Sequence, residues 1–87
     1  MRDNRRKRLY FQSWHRGCRE ADLVLGAFAE RYLDGFGAEQ LDHFEALLDL
    51  DDGLMLDWIF GRAQPAAEHR SDVLDLLLSF DFKARSA

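Results

Sequence analysis

Five consecutive residues, Arg16-Gly17-Cys18-Arg19-Glu20, carry the side chains best suited to binding another molecule. Gly17 permits a sharp bend and a close approach by another backbone, because glycine alone takes positive φ readily. Arg16 offers a planar guanidinium that donates to a carboxylate, a carbonyl or a phosphate. The carboxylate of Glu20 suits the first turn of a following helix, where the helix dipole stabilises negative charge. The same residues would also form a helix end, a helix start and a surface arginine, so both interpretations stay open.

Catalytic and metal-binding chemistry has little support among the titratable residues. None of His15, His43 and His69 pairs with another histidine or with a cysteine at the i, i+4 spacing of helical metal ligands. Cys18 lies between two arginines near a helix start, a setting that favours a reactive thiolate, but no base or orienting group accompanies it. From the residues alone we therefore predict no catalytic residue and no metal site.

Four aspartates cluster about one predicted helix junction: Asp49, Asp51, Asp52 and Asp57. Hard cations take several oxygen ligands from a tight loop, but the spacing here is not that of the calcium-binding loop, and no glutamate closes it. Helix capping by Asp51 or Asp52 and solvation at the surface explain most of the cluster, and a binding role for either residue stays open. The six glycines are spread singly, so the sequence has no glycine-rich phosphate loop.

The net charge of −4 hides a strong asymmetry along the chain. Residues 1–20 carry a net charge of +5, mostly from the run Arg5-Arg6-Lys7-Arg8, whereas residues 21–87 carry −9. This basic head could meet phosphate, an acidic protein surface or the body of the same chain. The charge pattern therefore leaves two functions open, a small nucleic-acid-binding protein and a protein-interaction module. The acidic body disfavours the first, because it would repel phosphate.

The elements that must position these residues are helices, because the apolar spacing is helical nearly everywhere. We predict an all-α, five-helix bundle forming a single domain over residues 1–87, with a flexible basic N-terminus over about 1–5. The predicted helices cover about 3–15, 19–33, 38–50, 54–60 and 66–82. Gly26 lies inside the second helix at a cost of roughly 1 kcal/mol relative to alanine, which a close helix crossing would explain.

Composition excludes several other classes of protein. Hydrophobic residues make up 47% of the 87 residues, enough for a core, and the single cysteine rules out an internal disulfide framework. No apolar run approaches the ~20 residues of a membrane span, and no apolar segment follows the basic start as in a signal peptide. We expect no membrane insertion and a location in bacterial cytoplasm.

A resemblance to a known family covers nearly the whole chain. Arg16, Gly17 and Glu20 match an Arg-Gly-x-x-Glu signature, and the match continues at Asp22-Leu23, Phe28-Ala29, Phe44-Glu45-Ala46-Leu47-Leu48, Asp51-Asp52 and Trp58, in the right order. The chain thus resembles the SdhE-type FAD assembly factors, also called succinate dehydrogenase assembly factors. These are small five-helix proteins.

The resemblance implies a non-enzymatic assembly factor. Such a factor binds the flavoprotein subunit of succinate dehydrogenase, and often the related subunit of fumarate reductase. It promotes covalent attachment of FAD to a histidine of that subunit. We expect this chain to bind no cofactor stably, because FAD is the cofactor of the client. Nucleic acid is not an expected partner on this interpretation.

The resemblance also assigns a partner-binding surface, residue by residue. Arg16, Gly17 and Glu20 form its centre, with the two charged side chains bonding to the subunit and Gly17 allowing the close contact. Arg8 extends the surface upstream. Asp52 and Trp58 match family positions as well. We expect Asp52 to cap the fourth helix and Trp58 to be more a core residue than a contact.

Overall fold

The computed structural model describes residues 3–80, in which five α-helices follow one another without a strand. The helices are α1 Asn4–Trp14, α2 Arg19–Tyr32, α3 Ala38–Leu48, α4 Asp52–Ile59 and α5 Asp72–Ser79. A 3₁₀ turn follows α2 at Leu33–Gly35, and another precedes α5 at Ala67–His69. The all-α, five-helix architecture predicted from the sequence is therefore confirmed.

Side-chain caps fix where several of these helices begin. The carboxylate of Asp3 accepts from the backbone N–H of Arg6 at 2.8 Å, and that of Asp51 accepts from the N–H of Leu54 at 3.3 Å. Each cap satisfies a donor that has no partner within its helix. The expectation that Asp52 caps the fourth helix is wrong, because Asp51 is the cap and Asp52 is the first helical residue.

The fifth helix is shorter than the sequence predicted. It begins at Asp72 instead of near residue 66, because Arg70 and Ser71 have extended backbones and the Ser71 hydroxyl accepts from the N–H of Leu74 at 3.1 Å. Phe80 is again extended and ends the helix. The predicted continuation to residue 82 lies outside the described residues.

An aromatic cluster around Phe28 joins the helices in the core. The Phe28 ring centroid lies 5.1 Å from that of Tyr32, 6.1 Å from Phe36, 5.7 Å from Phe44 and 5.7 Å from Phe80. The rings meet at tilted or edge-on angles, which their quadrupoles favour. Because the partners lie on α2, in the turn after it, on α3 and after α5, this cluster holds distant parts of the chain together.

Helices α1 and α2 cross closely at Gly26, as we expected from the presence of a glycine inside a helix. A Cβ atom placed on Gly26 would lie 2.3–2.5 Å from three ring atoms of Trp14. No side chain fits into that space, so the indole lies directly against the α2 backbone. This contact sets the spacing of the two helices that flank the Arg16–Glu20 segment.

The basic head of the chain packs against its acidic body. Arg5 on α1 donates to Asp42 at 2.6 Å and to Glu45 at 3.2 Å, both on α3, and Arg8 also donates to Glu45 at 3.0 Å. We considered three partners for the basic head, and the head contacts one of them, the acidic body of the same chain. Arg5 belongs to the segment that we expected to be flexible and is helical, whereas residues 1 and 2 lie outside the described part.

Candidate partner-binding site

The turn between α1 and α2 presents Gly17 to the outside. Gly17 has φ +88°, in the left-handed region, and no atom lies within 4 Å of the position that a Cβ would take. A side chain here would be strained by the backbone and not by crowding within the chain. The backbone N–H of Arg16 donates to the carboxylate of Asp22 at 2.5 Å, which ties the turn to the first part of α2.

The guanidinium of Arg16 is used inside the protein. Its Nε donates to Oδ1 of Asp52 at 2.8 Å, and its two terminal nitrogens donate to the carbonyls of Leu48 at 2.5 Å and Leu50 at 3.0 Å. We call this set of contacts the Arg16 latch. The Leu48 and Leu50 carbonyls lie at the end of α3, where carbonyl groups lack helical partners, and the arginine satisfies them.

The latch is largely shielded from solvent. The side chain of Arg16 is 12% exposed and that of Asp52 23% exposed. It connects the α1–α2 turn to the junction between α3 and α4, which are separate parts of the chain. The structure therefore brings Arg16 and Asp52 together and gives both a positioning role. A direct contact between either residue and a partner stays a prediction.

Glu20 lies exposed in the first turn of α2, close to Gly17 in sequence. Two hydrogen bonds hold the pKa of the Glu20 carboxyl below its usual range. The larger effect comes from the backbone N–H of Glu20 itself, and the smaller from the Cys18 thiol, 3.4 Å from Oε2. The group is therefore ionised at neutral pH and presents a negative charge three residues after Gly17. Gly17 therefore leaves room for a close contact, and Glu20 adds a negative charge to the same turn.

The other two predicted residues lie apart from the turn. Arg8 is on α1, with its side chain 54% exposed and paired with Glu45. Trp58 is only 5% exposed, and its ring centroid lies 5.4 Å from that of His69, so its expected place in the core is confirmed. A contact of Arg8 or Trp58 with a partner stays a prediction.

Sequence reasoning missed two kinds of residue at the site. The Leu48 and Leu50 carbonyls and the Asp22 carboxylate bond to Arg16, and no sequence pattern signals a backbone acceptor. The second kind is Phe11, a large apolar residue of α1 that is 61% exposed. An apolar residue opposite the Leu9 face of the helix was the signal that could have found it.

Neither a metal-ligand cluster nor a membrane-spanning helix occurs in residues 3–80. Within them, no three or more His, Cys, Asp or Glu side chains gather as a cation would need. No helix of that range has both the length and the apolarity for crossing a bilayer.

A known protein family matches most of the chain. The sequence profile of the family described as flavinator of succinate dehydrogenase matches residues 7–81. The chain belongs to this family. All six residues that we predicted for the partner-binding surface lie inside the matched range.

The descriptions of individual relatives also name FAD assembly or succinate dehydrogenase assembly. A protein of Acetobacter pasteurianus described as FAD assembly factor SdhE is 39% identical over 70 residues, which cover 80% of this chain and 64% of that protein. Succinate dehydrogenase assembly factor 2 of Debaryomyces hansenii, a mitochondrial protein, is 48% identical over 56 residues, covering 64% of this chain and 39% of the relative. The Dictyostelium discoideum protein of the same description is 36% identical over 72 residues, 83% of this chain and 51% of the relative. The chain thus spans less than two thirds of the length of these relatives.

Proposed function

We propose that this protein is an assembly factor that binds the flavoprotein subunit of succinate dehydrogenase and promotes covalent attachment of FAD to it. The observation that carries the proposal is the exposed Gly17–Glu20 turn, fixed in place by the Arg16 latch, in a chain of the flavinator family. The descriptions of the relatives name both FAD assembly and succinate dehydrogenase. The related subunit of fumarate reductase is a second client on this proposal.

The proposed mechanism is one of positioning. Gly17 lets the subunit's backbone approach the turn closely, and the ionised Glu20 accepts hydrogen bonds from donors on the subunit. Arg16 acts through the latch, which holds that turn in one geometry. Binding at this surface stabilises the conformation of the subunit in which FAD and its acceptor histidine are aligned, and alignment of two reacting groups lowers a barrier by several kcal/mol. The bond then forms within the subunit.

On this proposal the assembly factor is not an enzyme and holds no cofactor of its own. FAD belongs to the client subunit throughout. The internal use of the basic head supports a protein partner over nucleic acid, because Arg5, Arg6 and Arg8 all donate to groups of the same chain. Phosphate contacts would have to compete with those bonds.

Substitution of Gly17 by arginine tests the proposal. Gly17→Arg adds a long side chain to the contact surface and costs roughly 1–2 kcal/mol of stability through its positive φ. We expect the variant to stay helical, to lose binding to the purified flavoprotein subunit and to leave the subunit without covalent FAD. Binding is measured by calorimetry, and covalent flavin by in-gel fluorescence of the subunit.

Gly61 supplies the matched control. It has φ +76°, and no atom lies within 4 Å of its would-be Cβ, so Gly61→Arg carries the same backbone strain away from the α1–α2 turn. We expect similar unfolding midpoints for the two variants but normal flavin attachment with Gly61→Arg. Normal covalent FAD with Gly17→Arg, or equal loss in both variants, would contradict the proposed function of the turn.

A further inference from the structure

The outer face of α1 carries an exposed aromatic ring. The Phe11 side chain is 61% exposed, more than Leu23 at 43% and Phe60 at 42%, the next most exposed large apolar side chains in the described residues. The buried side of the same helix is formed by Leu9 and Ser13. Phe11 therefore adds nothing to the core, and aromatic side chains in such positions are enriched in protein interfaces.

This ring has an aromatic neighbour about one helical turn further along the chain. It stacks on the ring of His15, with centroids 3.9 Å apart and planes 14° from parallel. His15 Nδ1 lies 2.7 Å from the Phe11 carbonyl oxygen. Because a carbonyl only accepts, Nδ1 carries the proton and donates, and the second ring nitrogen, Nε2, is left to other contacts. A side chain ordered in advance loses less conformational entropy when a partner covers it.

The basic residues near the ring belong to α1, and two of them, Arg5 and Arg8, pair with acidic side chains of α3. Helix α1 contains four basic residues and no acidic one. Arg8 lies three residues before Phe11 on the same side of the helix. One terminal nitrogen of Arg8 pairs with Glu45 at 3.0 Å, and the side chain is 54% exposed, so its other N–H groups are accessible to a partner. His15 directly precedes Arg16 and the Gly17 turn, so the face runs without a break into the candidate site. Such a strip is complementary to an apolar pocket edged with carboxylates.

We propose that Arg8, Phe11 and His15 form a partner-binding strip, and that the flavoprotein subunit receives the Phe11 ring in an apolar pocket edged with carboxylates. The inference rests on the proposed function and extends it, since it adds an aromatic anchor beyond the Gly17 turn. The anchor fixes the orientation of the assembly factor on its client, whereas the turn alone provides one point of contact.

The test compares two exposed phenylalanines. Phe11→Ala and Phe60→Ala each remove one exposed ring, and neither should change the circular dichroism spectrum or lower the thermal midpoint appreciably. We expect Phe11→Ala to weaken binding of the purified full-length subunit by about 10- to 30-fold, the loss typical of a central interface residue. Phe60→Ala should bind within about twofold of the unchanged chain, as most interface-distant residues do.

One further measurement tests the role of Arg8, and two outcomes separate a failure of the strip from a failure of the proposed function. The affinity of Arg8→Gln should fall less with added salt than that of the unchanged chain, because one charge pair across the interface is lost. Equal binding by Phe11→Ala and the unchanged chain would overturn the strip while leaving the Gly17 result standing. Absence of binding by the unchanged chain would overturn the proposed function itself, so the two failures are distinct.

Discussion

Weakening the Arg16 latch should destabilise the fold, although Arg16 lies in a surface turn. Arg16→Lys keeps the positive charge but replaces a planar group that donates to three acceptors with a single ammonium. Asp52→Asn keeps an acceptor oxygen and removes the negative charge. Both substitutions fit the existing space, so their effects report the lost hydrogen bonds and not a cavity.

The expected magnitudes follow from the contacts. In Arg16→Lys the carbonyls of Leu48 and Leu50 lose their donors, at about 1 kcal/mol each, so the free energy of unfolding falls by about 2 kcal/mol. In Asp52→Asn the bond to Arg16 at 2.8 Å is no longer charge-assisted, and the loss is about 1–2 kcal/mol. For a domain of this size, 2 kcal/mol corresponds to a thermal midpoint lower by about 8–16 °C.

The assay is a double-mutant cycle by urea unfolding, followed by circular dichroism. The single variants and the double variant should give a coupling free energy of about 1 kcal/mol or more, because the residues share one shielded contact. The Arg62–Asp57 pair is the matched control. Its Nε–Oδ1 distance is also 2.8 Å, but its side chains are 59% and 44% exposed. The same substitutions there should couple by about 0.5 kcal/mol or less. Additive effects at Arg16 and Asp52, within about 0.3 kcal/mol, would refute the latch.

The remaining predictions concern the core and the dependence on pH. Gly26→Ala should lower the free energy of unfolding by about 2–3 kcal/mol in urea titrations, because the new methyl would overlap the Trp14 ring; an unchanged midpoint would contradict the close crossing. Hydrogen bonds from His43 and then from Gln40 lower the pKa of Asp72. A carboxyl whose pKa is lower in the folded state stabilises the fold above its unfolded pKa, and that contribution is lost as the pH falls through the folded value. Stability should therefore decline below about pH 4, and less steeply in Asp72→Asn; equal slopes in acid urea titrations would argue against this contribution.

Local sequence patterns predicted most of the fold because helices depend on nearby residues. The helical spacing of apolar residues predicted the helices, and in the structure Phe28 of α2 and Phe44 of α3 are fully buried. The same reasoning placed Trp58 in the core and explained Gly26 by a close crossing. It failed at the fifth helix, because the choice between a 3₁₀ turn and a longer helix before Ser71 depends on which group caps the helix.

The Arg16–Glu20 segment by itself determined that a bend with a charged flank lies between two helices. It did not determine that the Arg16 side chain turns inward. The acceptors of that side chain lie 32 to 36 residues away, and two of them are backbone carbonyls, which are alike at every position of a sequence.

Likewise, Arg8 and Phe11 belong to the same helix, but only packing decided which faces are covered by α2 and α3. The sequence thus specified the residue types, the helices and the bend. Tertiary structure alone assigned the Arg16 side chain to the interior, because burial depends on which helix ends meet in space and not on the residues next in line. The exposure of Phe11 follows from its place opposite Leu9 on α1 once packing has buried the Leu9 face.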